Sequence, residues 1–132
     1  MSNDTTATLA YGLVVNQWMI GGEGLAPVAD ALGVTLDAGD DVEDDVEDEI
    51  NAHLDAMGLR CVTFGSWAQP SWMIGRVIAE ADGDDVGYET TTPAKVAAAM
   101  RRTKASREVF AAIRRAFPWV KAPRLVVVVM RG

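Results

Sequence analysis

Between residues 42 and 57 the apolar side chains Val42, Val46, Ile50, Leu54 and Met57 recur at spacings of four and three. A period near 3.6 gathers them into one stripe of an α-helix, predicted over 40–57 and closed by Gly58. Asp41, Glu43, Asp44, Asp45, Glu47, Asp48 and Glu49 fill the other faces of its N-terminal half, where the helix dipole favours negative charge. A helix with one apolar stripe has to lay it on a second layer of structure.

Four segments read as that layer. Leu9–Val15 is apolar and extended, and Leu59–Gly65 and Trp72–Glu80 are rich in β-forming residues. Leu125–Met130 (LVVVVM) is apolar at consecutive positions, the pattern of a strand covered on both faces. A short helix over Leu25–Leu32 has Pro27 in its first turn and Gly33 after it. Thr92-Pro93 reads as an N-cap and first helical residue. The helix it opens runs to about Phe117, with a break near Thr103–Ser106 where the apolar phase drifts.

The order strand, helix, strand, strand, helix, strand predicts one α+β domain of 132 residues. Its four-stranded sheet would carry helices on one face in the ferredoxin-like βαββαβ arrangement, with an insertion after the first strand. Residues 1–8 read as a flexible tail. Small residues Ala10, Gly12 and Gly75 are expected under the helices. That would put Tyr11, Leu13, Val62, Phe64, Trp72, Ile74, Arg76 and Ile78 on the open face. So apolar a face calls for a cover, and a second copy of the chain is the simplest, giving a homodimer.

Charge is divided along the chain. Residues 1–92 hold eighteen acids against two bases (net −16), and residues 93–132 hold ten bases against one acid (net +9). The plain structural reading is that the halves attract each other and solvate the surface. The functional reading gives each half its own partner. Asp41, Asp44, Asp45, Glu47 and Asp48 on one helix could meet a protein partner or mimic a phosphate backbone. Trp67, Gln69 and Trp72 around Pro70 add a second recognition surface, unless the indoles fold back onto the core. Arg101, Arg102, Lys104, Arg107, Arg114 and Arg115 could instead hold phosphates, with Tyr11, Phe64 or Trp72 stacking on bases across the open sheet face.

Other chemistries find little footing. No apolar run approaches bilayer length, and the first residues form no signal peptide, so a cytoplasmic protein without membrane contact is expected. Cys61 is the single cysteine and His53 the single histidine, which excludes an internal disulfide and a cysteine-rich zinc site. Calcium-loop spacing fails from Asp37, which puts Val42 sixth and Asp48 twelfth. It fails again from Asp82, which puts Val86 and Pro93 at ligand positions. Gly21-Gly22-Glu23-Gly24 lacks the lysine and hydroxyl of a phosphate loop. No metal, cofactor or catalytic residue is assigned.

The succession Tyr11-Gly12-Leu13-Val14-Val15, acidic helix, then Val62-Thr63-Phe64-Gly65-Ser66 before a proline and an extended strand resembles small proteins of phages and prophages. That resemblance implies a phage-encoded, non-enzymatic binding or regulatory role in a host cytoplasm. The first expectation is therefore protein–protein contact through the acidic helix and the tryptophan loop. A nucleic-acid-binding module and a small enzyme or ligand-binding domain are the alternatives.

Overall fold

The structure, a computed structural model, describes residues 5–21, 24–36, 43–66, 68–82 and 91–131. Its elements are β1 (Thr5–Asn16), α1 (Ala26–Ala31), α2 (Glu43–Asp55), β2 (Arg60–Ser66), β3 (Pro70–Asp82), α3 (Pro93–Ala99), α4 (Lys104–Ala116) and β4 (Arg124–Arg131). A 3-10 turn, Gln17–Ile20, follows β1. The fold is α+β with a mixed four-stranded sheet. β1 pairs antiparallel with β3 and with β4, and β3 pairs antiparallel with β2. β2 and β4 meet in parallel at Gly65–Met130 and Ser66–Arg131, closing the strands into a small barrel of order β1-β3-β2-β4.

Val46, Ile50 and Leu54 of α2 are buried, as the stripe requires, and α2 lies against β2. The long basic helix is two helices, α3 and α4, separated at residues 100–103, just before the break expected near Thr103–Ser106. Thr92 caps α3 by accepting from the Lys95 amide, with Pro93 first inside the helix. Thr103 and Ser106 form a reciprocal capping box at the start of α4.

The faces of the sheet differ from expectation. Leu13, Val15, Cys61, Trp72 and Ile74 join Val28, Ile50, Leu54, Val109 and Ile113 in the main core under the helices, and Tyr11 packs on it. Ala10, Met73 and Val128, with Val62, Phe64, Val77 and Val126, form a second cluster on the other face. Helices bury bulky residues in preference to small ones, so the large side chains of β1 and β3 turn toward them. Gly12 and Gly75 serve a different end. They are cross-strand partners, and a Cβ on Gly12 would lie 2.7 Å from the Gly75 Cα. Their closeness, with a register shift that leaves Ile78 unpaired between Val77 and Ala79, lets the sheet curl. Of the residues expected on the open face, Tyr11, Leu13, Trp72 and Ile74 thus lie under the helices, and Val62 and Phe64 lie on the other face as expected.

Three other expectations change. Residues 5–8 are no tail, since Thr5 and Thr6 already pair with Arg131 and Met130. Pro70 lies not in the loop between the second and third strands but at the start of β3, where a missing amide is tolerated. β4 is not covered on both faces: Val128 is buried, but Leu125 is 44% and Val127 65% exposed.

Candidate functional site

Arg76 projects from the middle of β3. Its Nη1 donates to the carbonyls of Ala98 (3.1 Å) and Arg101 (3.2 Å), and its Nη2 donates to Thr103 Oγ1 (3.2 Å). One guanidinium thereby ties the end of α3, the junction 100–103 and the cap of α4 to the sheet. Cationic donors at a helix C-terminus satisfy carbonyls that have no partner inside the helix. The junction carries Arg101 and Arg102, both exposed. Along α4, Arg107, Ala111, Arg114 and Arg115 follow at spacings that keep them on neighbouring rows of one face.

These residues surround a cavity of about 580 Å³, within the range of small-ligand sites. Its apolar lining comes from Tyr11, Leu59, Ala99, Phe110 and Ala111, and from Pro118, Ala122 and Pro123 of the α4–β4 connection. The Tyr11 and Phe110 rings meet edge to face at 6.4 Å and 78°. Six arginines line it: Arg76, Arg101, Arg102, Arg107, Arg114 and Arg115. Among the described residues no acid and no lysine does. Among the described residues the ion pair formed is Arg60–Glu80 (3.4 Å, exposed), far in sequence from this cluster. Among the described residues, the attraction between halves expected from the sequence does not take the form of ion pairs to these arginines.

The six basic residues expected to hold phosphates divide accordingly. Arg101, Arg102, Arg107, Arg114 and Arg115 converge on the cavity and Lys104 does not line it. Arg76, expected on the open face of the sheet, turns instead toward the helices, and its isolation in a strand twenty-five residues before Arg101 kept it out of the set expected to hold phosphates. A signal was present in Arg107, Ala111, Arg114 and Arg115, whose spacings of four, three and one mark one side of a helix. Of the stacking candidates, Tyr11 reaches the cavity, Phe64 sits in the second cluster and Trp72, 1% exposed, is core.

The acidic site is more scattered. Asp45 and Asp48 are exposed, whereas Glu47 is half-buried and accepts from Thr63 Oγ1 at 3.0 Å. Asp41, Trp67 and the side chain of Asp44 lie outside the described residues. Gln69 is exposed, and its amide donates to Ser66 Oγ at 3.2 Å in the β2–β3 turn. Trp72, expected beside it at the surface, packs under the helices because β3 has already begun and alternation turns it inward.

A second cavity of about 300 Å³ between β2 and β4 is lined in part by Cys61, Thr63, Glu47 and Arg60, but not by His53. Among the described residues no three His, Cys, Asp or Glu side chains gather in a metal-holding group. No helix among them is long and apolar enough to cross a membrane. The chain matches no known protein family, no curated protein and no solved structure.

Proposed function

We propose that this chain is a non-enzymatic nucleic-acid-binding module that holds backbone phosphates in the arginine-lined cavity between α3, α4 and the sheet. The observation that carries this reading is the convergence of six arginines on one concave site with no acid among the described residues that line it. Guanidinium is the planar, always-charged fork that pairs with phosphate oxygens two at a time. An apolar floor lowers the local dielectric and strengthens each such contact. The net charge of −7 opposes approach at long range. At physiological salt, though, fields are screened within about 8 Å, so the local patch decides contact. We read the scaffold as a ferredoxin-like βαββαβ unit, supported by the β4-β1-β3-β2 neighbour order and curled until β4 touches β2.

Fluorescence anisotropy with labelled DNA and RNA, titrated at several salt concentrations, tests the proposal. If four or five exposed arginines engage phosphates, log affinity should fall with log salt at a slope of about −3, at ~0.7 per phosphate on a single strand. Arg107→Gln with Arg114→Gln should weaken binding and flatten that slope. Absence of binding at low salt, or binding indifferent to both substitutions, would overturn it.

A protein partner on α2 is the second reading, favoured by the outward-facing Asp45 and Asp48. Reversing both to lysine would abolish capture of such a partner, and unaffected capture would end that reading.

A further inference from the structure

Trp119 is 71% exposed, the largest such value among the exposed bulky apolar side chains of the described residues. It stands on the turn after α4, next to Pro118, which forms part of the cavity wall. The turn is held in place. The Val120 amide donates to the Phe117 carbonyl at 3.0 Å, and the Val120 carbonyl accepts from Arg114 Nε at 3.3 Å. Val120 itself is buried and anchors the turn in the main core. An indole is therefore kept in water beside a cationic cavity, on a turn tied to one of that cavity's own arginines.

We infer that the ligand of the arginine-lined cavity is a single-stranded polynucleotide, with a base stacked on Trp119 while the adjacent phosphates lie against Arg107, Arg114 and Arg115. This rests on the proposed nucleic-acid reading and narrows it. A duplex keeps its base faces stacked inside and offers nothing to an exposed indole or to an apolar floor. Its stiff, wide double helix also cannot enter a cavity of this volume. An unpaired strand presents both π-faces and a flexible run of phosphates, the two features this surface answers. The absence of lysine from the lining favours the same ligand, since guanidinium also stacks on planar bases and ammonium does not.

Oligothymidylate and oligouridylate, the matching oligothymidylate–oligoadenylate duplex, and an oligoglutamate of equal charge should be titrated against the wild-type chain, Trp119→Ala and Trp119→Phe. Both single strands should bind the wild type about ten-fold or more tightly than the duplex or the oligoglutamate. Trp119→Ala should lose about ten-fold for the single strands and little for the duplex, with Trp119→Phe recovering most of the loss. Far-ultraviolet circular dichroism should be unchanged, because the side chain is in water. Equal affinity for duplex and single strand together with an unchanged Trp119→Ala would overturn the inference and leave the phosphate reading standing. Oligoglutamate binding as tightly as oligothymidylate would also overturn it, assigning the cavity to acidic peptides. No binding of any nucleic acid would remove the proposed function with it.

Discussion

Asn51 shows how one side chain can finish a sheet. Its Oδ1 accepts the Cys61 amide at 2.8 Å and its Nδ2 donates to the Cys61 carbonyl at 3.1 Å, so the carboxamide takes the place of a neighbouring strand on the outer edge of β2. Four residues on, Gly65 of the same strand is met by β4 itself. Asn51→Ala removes both of these part-buried hydrogen bonds to the Cys61 backbone and should cost about 2 kcal/mol. Urea denaturation gives that difference directly. Asn51→Asp should cost a similar amount, because the donor to the carbonyl is replaced by an acceptor. Gly12 tests the curl in the same way. A methyl there meets the backbone of Ile74 and Gly75 rather than a movable side chain. Gly12→Ala should therefore destabilise by about 2–3 kcal/mol, at the upper end of overpacking costs.

At the scale of elements, the helical stripes could be read from the sequence but the faces of the strands could not. Val46, Ile50 and Leu54 announce one buried side because a period of 3.6 admits a single phase. Along β1 and β3, Tyr11-Gly12-Leu13 and Ile74-Gly75-Arg76 alternate in period two, which names two faces without saying which the helices take. The choice fell to side-chain volume, and no residue in LVVVVM shows that the helices stop short of β4. The arginine site was half legible for a related reason. Spacing along α4 foreshadowed Arg107 and Arg114, but the meeting of Arg76 with the α3–α4 junction depends on pairing across the sheet. β4 offers the direct check. Val127→Lys points into water and should change stability by no more than about 0.5 kcal/mol. Val128→Lys, one residue on, buries an unpaired charge in the second cluster and should cost several kcal/mol or prevent folding. Thermal melts of the two variants decide between a strand covered on one face and on both. The cap of α4 can be tested too. Thr103→Ala removes an N-cap and one of the three bonds that Arg76 makes, and should cost about 1–2 kcal/mol, with the Arg76 bonds to the Ala98 and Arg101 carbonyls still holding the junction.

For the whole molecule, the division of charge becomes an energetic statement about the arginine-lined site. Five exposed arginines crowd one cavity without acidic partners among the described residues, and Asp45 and Asp48 share another exposed face. Exposed ion pairs contribute only about 0–1 kcal/mol each, so Arg60–Glu80 offsets little of the repulsion among like charges. A polyvalent anion that enters the cavity relieves that repulsion and binds the folded chain alone. It should raise the melting temperature by mass action, with about 2.7 kcal/mol expected at a hundred times its dissociation constant. Low millimolar pyrophosphate is the apt probe, because at that concentration its general effect on hydration is slight and sodium chloride can be matched for ionic strength. Differential scanning fluorimetry should show a rise with pyrophosphate that exceeds the rise with matched chloride. The excess should vanish in the Arg107→Gln, Arg114→Gln variant and persist in Lys104→Gln, whose side chain does not line the cavity. An equal rise with both salts would mean that the arginines respond only to screening and hold no anion, and the site would lose its physical basis.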